Sequence, residues 1–246
     1  MSARPALRWR TATVRGVTAE SARTRTLMLD VPDWHGHRAG QHVDIRLTAE
    51  GGYQAQRSYS IASAPEHDAL ELTVELVDDG EVSPYLVDEL RSGDQFELRG
   101  PIGGHFSWSV EDRGPLLLLA GGSGIVPLMS MLRHRAARAA DVPARVLVSV
   151  RGPEERIYGA ELDALEPRAG LRVEWTYTRS TPPGWGGWAR RVDAEMLAQL
   201  GPGPDANPLA FVCGPTSFVE HVANLLVDGG HDPEAIHAER FGPTGG

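Results

Sequence analysis

Four short stretches of this chain hold residues whose types and spacing could do chemistry. Arg57-Ser58-Tyr59-Ser60 opens a strand-like run. Alternate side chains of a strand share a face, so Arg57 and Tyr59 point together while Ser58 and Ser60 point the other way. A guanidinium there could neutralise a diphosphate through a forked pair of hydrogen bonds. Tyr59 could lie on a flat ring, and Ser60 could hydrogen-bond a ring nitrogen. The tetrapeptide could equally begin an ordinary strand at a solvated arginine. Gly80-Glu81-Val82-Ser83 precedes a short helix, whose first N–H groups suit an anion such as a diphosphate. A hairpin turn followed by a capped helix is the other reading.

Gly121-Gly122-Ser123-Gly124-Ile125-Val126-Pro127 follows a run of leucines and opens a helix. Glycines in that setting let a phosphate approach backbone amides at the helix start. The spacing is not G-x-G-x-x-G, and a tight strand-to-helix turn is the alternative. Cys213-Gly214-Pro215 ends an apolar strand and starts a helix, at the carboxyl end of a parallel strand where open α/β sheets bind ligands. A buried, inert cysteine is the other reading. Gly100 to Phe106 reads as a bend between two regions, near a cofactor. His35 and His37 have no further ligands at metal spacing and are read as surface histidines, so no metal site is expected. No nucleophile elbow or triad is present.

The elements that must position these residues change character near Gly114. Before it the chain reads as strands: Trp9 to Ala19, Thr24 to Val31, His42 to Leu47, Arg57 to Ala62, Leu70 to Val77 and Gln95 to Leu98. Turn residues part them, and short strands at this spacing predict a barrel or a sandwich. One helix interrupts, with Ser83 as N-cap and Pro84 at its first position. After Gly114 strands and helices alternate: strand Leu116 to Ala120, helix Val126 to Ala139, strand Arg145 to Val150, helix Tyr158 to Glu166, strand Leu171 to Tyr177 and helix Asp193 to Leu200. Strand Leu209 to Cys213, helix Thr216 to Val227 and a strand near Ile236 to Phe241 follow. Such alternation predicts a parallel sheet with helices on its faces. The loop Ser180 to Trp188, rich in Pro, Gly and Trp, is expected to be ordered by packing.

Composition bounds the function. A length of 246 residues calls for two packed domains, divided as 1–107 and 108–246. The net charge of −9 argues against a nucleic-acid surface. Cys213 is the only cysteine, so neither an intramolecular disulfide nor a cysteine-ligated iron–sulfur centre is expected. Met1 to Arg10 lacks the apolar run of a signal peptide, and a cytoplasmic protein is expected. The uncharged stretch Gly114 to Leu132 could be taken for a membrane span, but its glycines and Pro127 fit a strand, a turn and a helix better.

Taken in order, these motifs resemble those of the ferredoxin–NADP reductase family over nearly the whole chain. The resemblance implies an antiparallel β-barrel that binds FAD, followed by a Rossmann-like α/β domain for NADPH or NADH. It places Arg57 on the FAD diphosphate, Tyr59 on the isoalloxazine and Ser60 near N5, with Ser58 in the same motif. Gly80, Val82 and Ser83 would hold the diphosphate. Gly121, Gly122, Ser123, Gly124, Ile125 and Pro127 are similar to the family's nicotinamide-nucleotide loop. Cys213, Gly214 and Pro215 are similar to its motif beside the nicotinamide. Glu239-Arg240-Phe241 is similar to the family's acidic-x-aromatic ending, whose aromatic covers the flavin; here Gly242 to Gly246 follow, a departure, and Phe241 is expected beside the ring. Ser60, Cys213 and Glu239 are the catalytic candidates, shaping the meeting of nicotinamide and flavin.

Arg151, Arg156, Arg179, Arg190 and Arg191 are candidates for a 2′-phosphate, which leans the expectation toward NADPH. Many family members carry a fused iron–sulfur domain or globin, and this chain shows neither. The expected acceptor is therefore a separate protein: a ferredoxin, a monooxygenase component or another redox protein. The competing functions are a flavin reductase that releases reduced flavin and a non-catalytic nucleotide-binding regulator.

Overall fold

The structure, a computed structural model, describes residues 7–166 and 170–242. Met1 to Ala6 and Pro243 to Gly246 lie outside those residues. The first domain is built from β1 (Arg10–Ser21), β2 (Thr24–Asp30), β3 (His42–Thr48), β4 (Gln54–Ser60), β5 (Leu70–Glu75) and β6 (Gln95–Ile102). They form one antiparallel sheet in the order β4-β3-β6-β1-β2-β5. The chain just past β4 meets β5 through a bridge between Ile61 and Leu72, and Ala62 N donates to Glu71 O at 2.8 Å. The sheet thus curls into a barrel instead of leaving both edges unpaired. Alternation sends Val14, Leu27, Leu29, Val43, Ile45 and Leu72 inward, where they are buried together.

The lone helix of the barrel is a single wide turn, Tyr85–Glu89, closed by Leu90 N donating to Tyr85 O at 3.0 Å. Its Leu86 and Leu90 join the barrel core. Ser83 does not cap it. The Ser83 hydroxyl is buried under the Gly80 turn and accepts from Val77 N at 3.1 Å, and no side chain caps the helical turn. A strand-end N–H left over beyond β5 takes the hydroxyl that the motif assigns to the helix.

The second domain runs β7 (Leu116–Gly121), α1 (Ile125–Arg138), β8 (Ala144–Val150), α2 (Gly159–Leu165), β9 (Leu171–Tyr177), α3 (Ala194–Leu200), β10 (Leu209–Pro215), α4 (Thr216–Asp228) and β11 (Ile236–Phe241). The sheet is parallel, in the order β11-β10-β7-β8-β9. Leu118 and Ala120 of β7 pack in one core with Leu128 and Met129 of α1, and Leu117 and Leu119 in another with Met196 of α3 and Val222 of α4. Burial on both faces explains the unbroken apolar run. Gly114 to Leu132 is thus β7, a turn and the start of α1; no helix among the described residues is long and apolar enough to cross a membrane. Strand order reverses between β7 and β10, which opens a crevice at their carboxyl ends. The loop before α3 is packed as expected: Trp185 stands edge-on to Tyr177 at 4.9 Å and its Nε1 donates to Trp188 O at 3.0 Å.

A tryptophan joins the two domains. Trp108 is fully buried, donates its backbone N–H to Ala39 O at 3.0 Å and stands with its ring edge-on to His134 of α1 at 5.4 Å. His37, expected at the surface, is instead half-buried beside this seam, with Nε2 2.9 Å from Ser63 O. Trp108→Ala should cost about 3–5 kcal/mol, because so large a cavity at a two-sided seam collapses poorly. Urea unfolding checks this, and a midpoint close to that of the parent protein contradicts it.

Candidate active site

On the barrel side, β4 lies against β3 with Arg57 opposite Ile45, Ser58 opposite Asp44, Tyr59 opposite Val43 and Ser60 opposite His42. The alternation expected for the motif is therefore present. Tyr59 packs half-buried on the barrel core, and that burial pushes its hydroxyl well above the usual range. Arg57 is exposed and donates from Nη2 to Glu81 Oε2 at 2.8 Å, so the guanidinium reaches the Gly80–Ser83 segment. Glu81 also accepts the Tyr53 hydroxyl. Ser58 is turned away to Asp44, which its Oγ meets at 2.6 Å and which also holds Arg99 at 2.9 Å. Val82 and Ser83 face inward and are buried, so this segment offers backbone and not side chains to a ligand.

On the other side, the glycine loop and the Cys-Gly-Pro turn are in direct backbone contact. A Cβ on Gly124 would lie 2.1 Å from Cys213 O, and a Cβ on Gly214 would lie 3.1 Å from Gly121 Cα. Only glycine permits this approach. The loop then opens at Gly122, where φ is +55° and a Cβ would meet nothing within 4 Å. Gly121, Gly122, Ser123 and Pro215 line a cavity of about 640 Å³ with Arg151, Arg191 and Phe241. Ser149, Thr178, Ser217, Phe218 and His221 line it too and were not singled out by motif. Ser149 lies near the carboxyl end of β8 beside Gly121, and Thr178 follows β9, so the carboxyl-end rule applied to every strand finds both.

Several expected nucleotide contacts lie elsewhere. Ile125 and Pro127 are buried in the first turn of α1, Ile125 within the core on one face of the sheet. Arg190 is held outside the cavity by Asp193 at 2.6 Å and Glu195 at 2.9 Å. Arg179 is exposed and also outside the lining, and Arg156 is taken by Asp163 at 2.7 Å. Arg151 lines the cavity but is paired with Glu155 at 2.6 Å.

The three catalytic candidates converge on the seam between the domains. Glu239 of β11 lies in register with Cys213 of β10, and its Oε1 is 3.7 Å from Nδ1 of His42, the neighbour of Ser60 on β3. His42 escaped the sequence reading because it is one polar residue in an alternating strand. Burial pushes the Glu239 carboxyl up to about 7. Burial also raises the Cys213 thiol, with the Glu239 charge adding to it, and lowers His42 despite Asp44. Near neutrality the seam therefore offers a thiol, a neutral imidazole and a carboxyl able to give or take a proton. Glu239 Oε2 is buried with no hydrogen-bond partner among the described residues. An acceptor left unpaired there fits a bound ring that supplies an N–H or O–H.

An oxidoreductase FAD-binding domain matches residues 11–108, and an oxidoreductase NAD-binding domain matches residues 118–224. The chain belongs to the ferredoxin–NADP reductase family. Within this family it is 32% identical over 225 residues to the glycine betaine monooxygenase reductase subunit of Pseudomonas aeruginosa. It is 29% identical over 243 residues to the ferredoxin reductase component of 3-ketosteroid-9-alpha-monooxygenase from Rhodococcus rhodochrous. These matches cover 90% and 95% of this chain but only 61% and 65% of the relatives, so the chain spans about three fifths of their length. The FAD/NAD-binding domain of nitric oxide dioxygenase from Vibrio cholerae superposes with a TM-score of 0.84 at 27% identity, covering 95% of this chain and 99% of that one. A cytochrome P450 reductase from Amycolatopsis gives 0.83 at 28% identity, over 96% of this chain and 71% of the other.

The Glu239 environment predicts a pH dependence. A folded-state pKa above the ordinary carboxylate value means the folded chain holds this proton more tightly than the unfolded one. Glu239 therefore stabilises the fold at low pH, and that contribution is lost as pH rises from about 4.5 to about 7. In the flavin-free protein, Glu239→Gln should flatten the fall in urea midpoint across this window. Parallel curves for the two proteins would contradict the assignment.

Proposed function

We propose that this chain is a flavoprotein reductase that passes hydride from NAD(P)H to FAD and electrons onward to a separate redox protein. A ferredoxin or an oxygenase component is the expected acceptor, and a cytoplasmic location is part of the reading. The observation that carries it is the seam where Ser60, His42, Glu239 and Cys213 meet between the two matched domains. FAD, when bound, supplies the hydride acceptor and the release of electrons singly or in pairs. The chain's own residues supply position. In this reading the barrel, taken as 1–107, holds FAD: Arg57 with the Gly80–Ser83 backbone takes the diphosphate, and Tyr59 takes the ring face. The remainder, 108–246, holds the nucleotide at the Gly121–Ser123 loop. Glu239 and His42 move or hold a proton at the seam, and the Cys213 thiol, kept neutral by burial, forms a soft wall. Arg191 lines the cavity with no ion-pair partner among the described residues, which favours NADPH over NADH. The names of the relatives, reductase components of monooxygenases, support a protein acceptor.

One observation favours a flavin reductase as the second reading. The Arg57 guanidinium is exposed and already carries a carboxylate from Glu81, so a diphosphate must compete for it. Anaerobic mixing of the purified yellow protein with NADPH and then NADH tests the main reading. Rapid bleaching of the flavin band is expected, faster with NADPH; a preparation that never binds flavin defeats it. Arg57→Ala should weaken FAD binding about tenfold or more, and Glu81→Gln should tighten it a few-fold. Unchanged FAD affinity in Arg57→Ala removes the diphosphate assignment.

A further inference from the structure

Among the described residues, the most heavily bonded charge between the domains is the largely buried Arg133 of α1. Its Nη1 donates to Ala62 O at 2.9 Å and to Glu71 Oε2 at 2.7 Å, both in the barrel. Its Nε and Nη2 make a forked pair with Glu161 of α2 at 2.8 and 2.6 Å. The guanidinium also lies over the ring of Tyr158, 5.2 Å from its centroid, and the Tyr158 hydroxyl bonds Thr73 of β5. Burial works against the charge, and Glu161 and Glu71 more than restore it. A cation so placed is costly unless its partners are all present, so it specifies one arrangement of them.

The partners say what is specified. Ala62 is two residues beyond Ser60, and Ala62 N is the group that closes the barrel on Glu71 O. One turn before Arg133, Ser130 Oγ donates to Ser63 O at 2.6 Å, and the next residue, His134, meets Glu66 at 2.8 Å. One face of α1 thus grips the segment that follows the flavin-domain strand β4. The other end of α1 begins at Gly124, under the Cys213 carbonyl. A single rigid helix therefore spans from the nucleotide loop to the chain end of β4.

We propose that Arg133 is a positioning residue for the reaction: it sets the separation of Ser60 from the glycine loop and Cys213, with Glu71 and Glu161 as its two anchors. It touches neither ring system in this account, and it acts through α1 and the Ala62 carbonyl. This rests on the reductase reading above. Its expected signature is a loss of rate without a loss of affinity, since errors of about an ångström in the meeting of reactants cost far more in rate than in binding.

The test uses full-length, FAD-loaded protein. Arg133→Gln, Glu71→Gln and Glu161→Gln are mixed anaerobically with NADPH over a concentration range, beside the parent protein. The limiting rate of flavin bleaching should fall about tenfold or more in Arg133→Gln and less in each glutamate variant. The half-saturating NADPH concentration and the FAD retained after desalting should stay within about twofold. A merely structural arginine would lower the unfolding midpoint and leave the limiting rate alone, and that result overturns the proposal. Should Arg133→Gln fail to fold, the two glutamate variants decide it, and unchanged limiting rates in both overturn it. If the parent protein itself is not bleached, the reductase reading fails and the proposal falls with it; a bleaching parent with equally fast variants removes the proposal alone.

Discussion

A largely buried guanidinium held by carboxylates from two domains is the constraint on which the rest of this structure depends. Arg133 ties Glu71 of the barrel to Glu161 of the parallel-sheet domain, and the helix that carries it begins in the glycine loop. Without a fixed angle between barrel and sheet, His42 and Glu239 would have no reason to meet, because β3 and β11 share no sheet. Close packing does the remaining work. Gly124 under the Cys213 carbonyl and Gly121 under the Phe218 ring leave no space for adjustment, so the two nucleotide-side motifs behave as one body.

The electrostatics of the seam follow from its dryness. Cys213 is buried, Glu239 and His42 are largely so, and each is shifted toward its neutral form. A group poised near neutrality beside a bound ring is suited to handling a proton without holding a permanent charge there. At the open ends of the site the balance differs. Arg57 and Arg151 are exposed, and each is partnered by a glutamate that a phosphate there has to displace. Those two charges are thus exchangeable, while the residues at the reacting point are fixed.

Much of this was legible in the sequence, for identifiable reasons. The unbroken run Leu116 to Ala120, bounded by glycines, suited a strand covered on both faces, and the alternation after it pointed to a parallel sheet. The glycine and Cys-Gly-Pro motifs were legible because backbone contact demands small residues at set places. Ser60, Cys213 and Glu239 were found by resemblance to a family, and the structure brings them to one seam. What was not legible depends on contacts distant along the chain. Ser83 was given a capping role that local pattern favours, but a strand-end N–H takes its hydroxyl. Ile125 and Pro127 sit inside a loop motif, yet both are buried in the first turn of α1. Arg190 is a phosphate candidate by its place in the sequence, but Asp193 and Glu195 at the start of α3 close on its guanidinium. His42 gave no local signal, since only the docking of β11 beside it makes it a site residue.

The central claim is that both ring systems meet where Ser60, His42, Glu239 and Cys213 converge. A crystal structure of the protein with FAD and oxidised nicotinamide nucleotide tests it most directly. The account predicts the isoalloxazine on Tyr59, its N5 beside Ser60, and the nicotinamide C4 within about 3.5 Å of it next to Cys213. A flavin seated away from Tyr59, or a nicotinamide separated from it by the intact His42–Glu239 contact, would contradict the account.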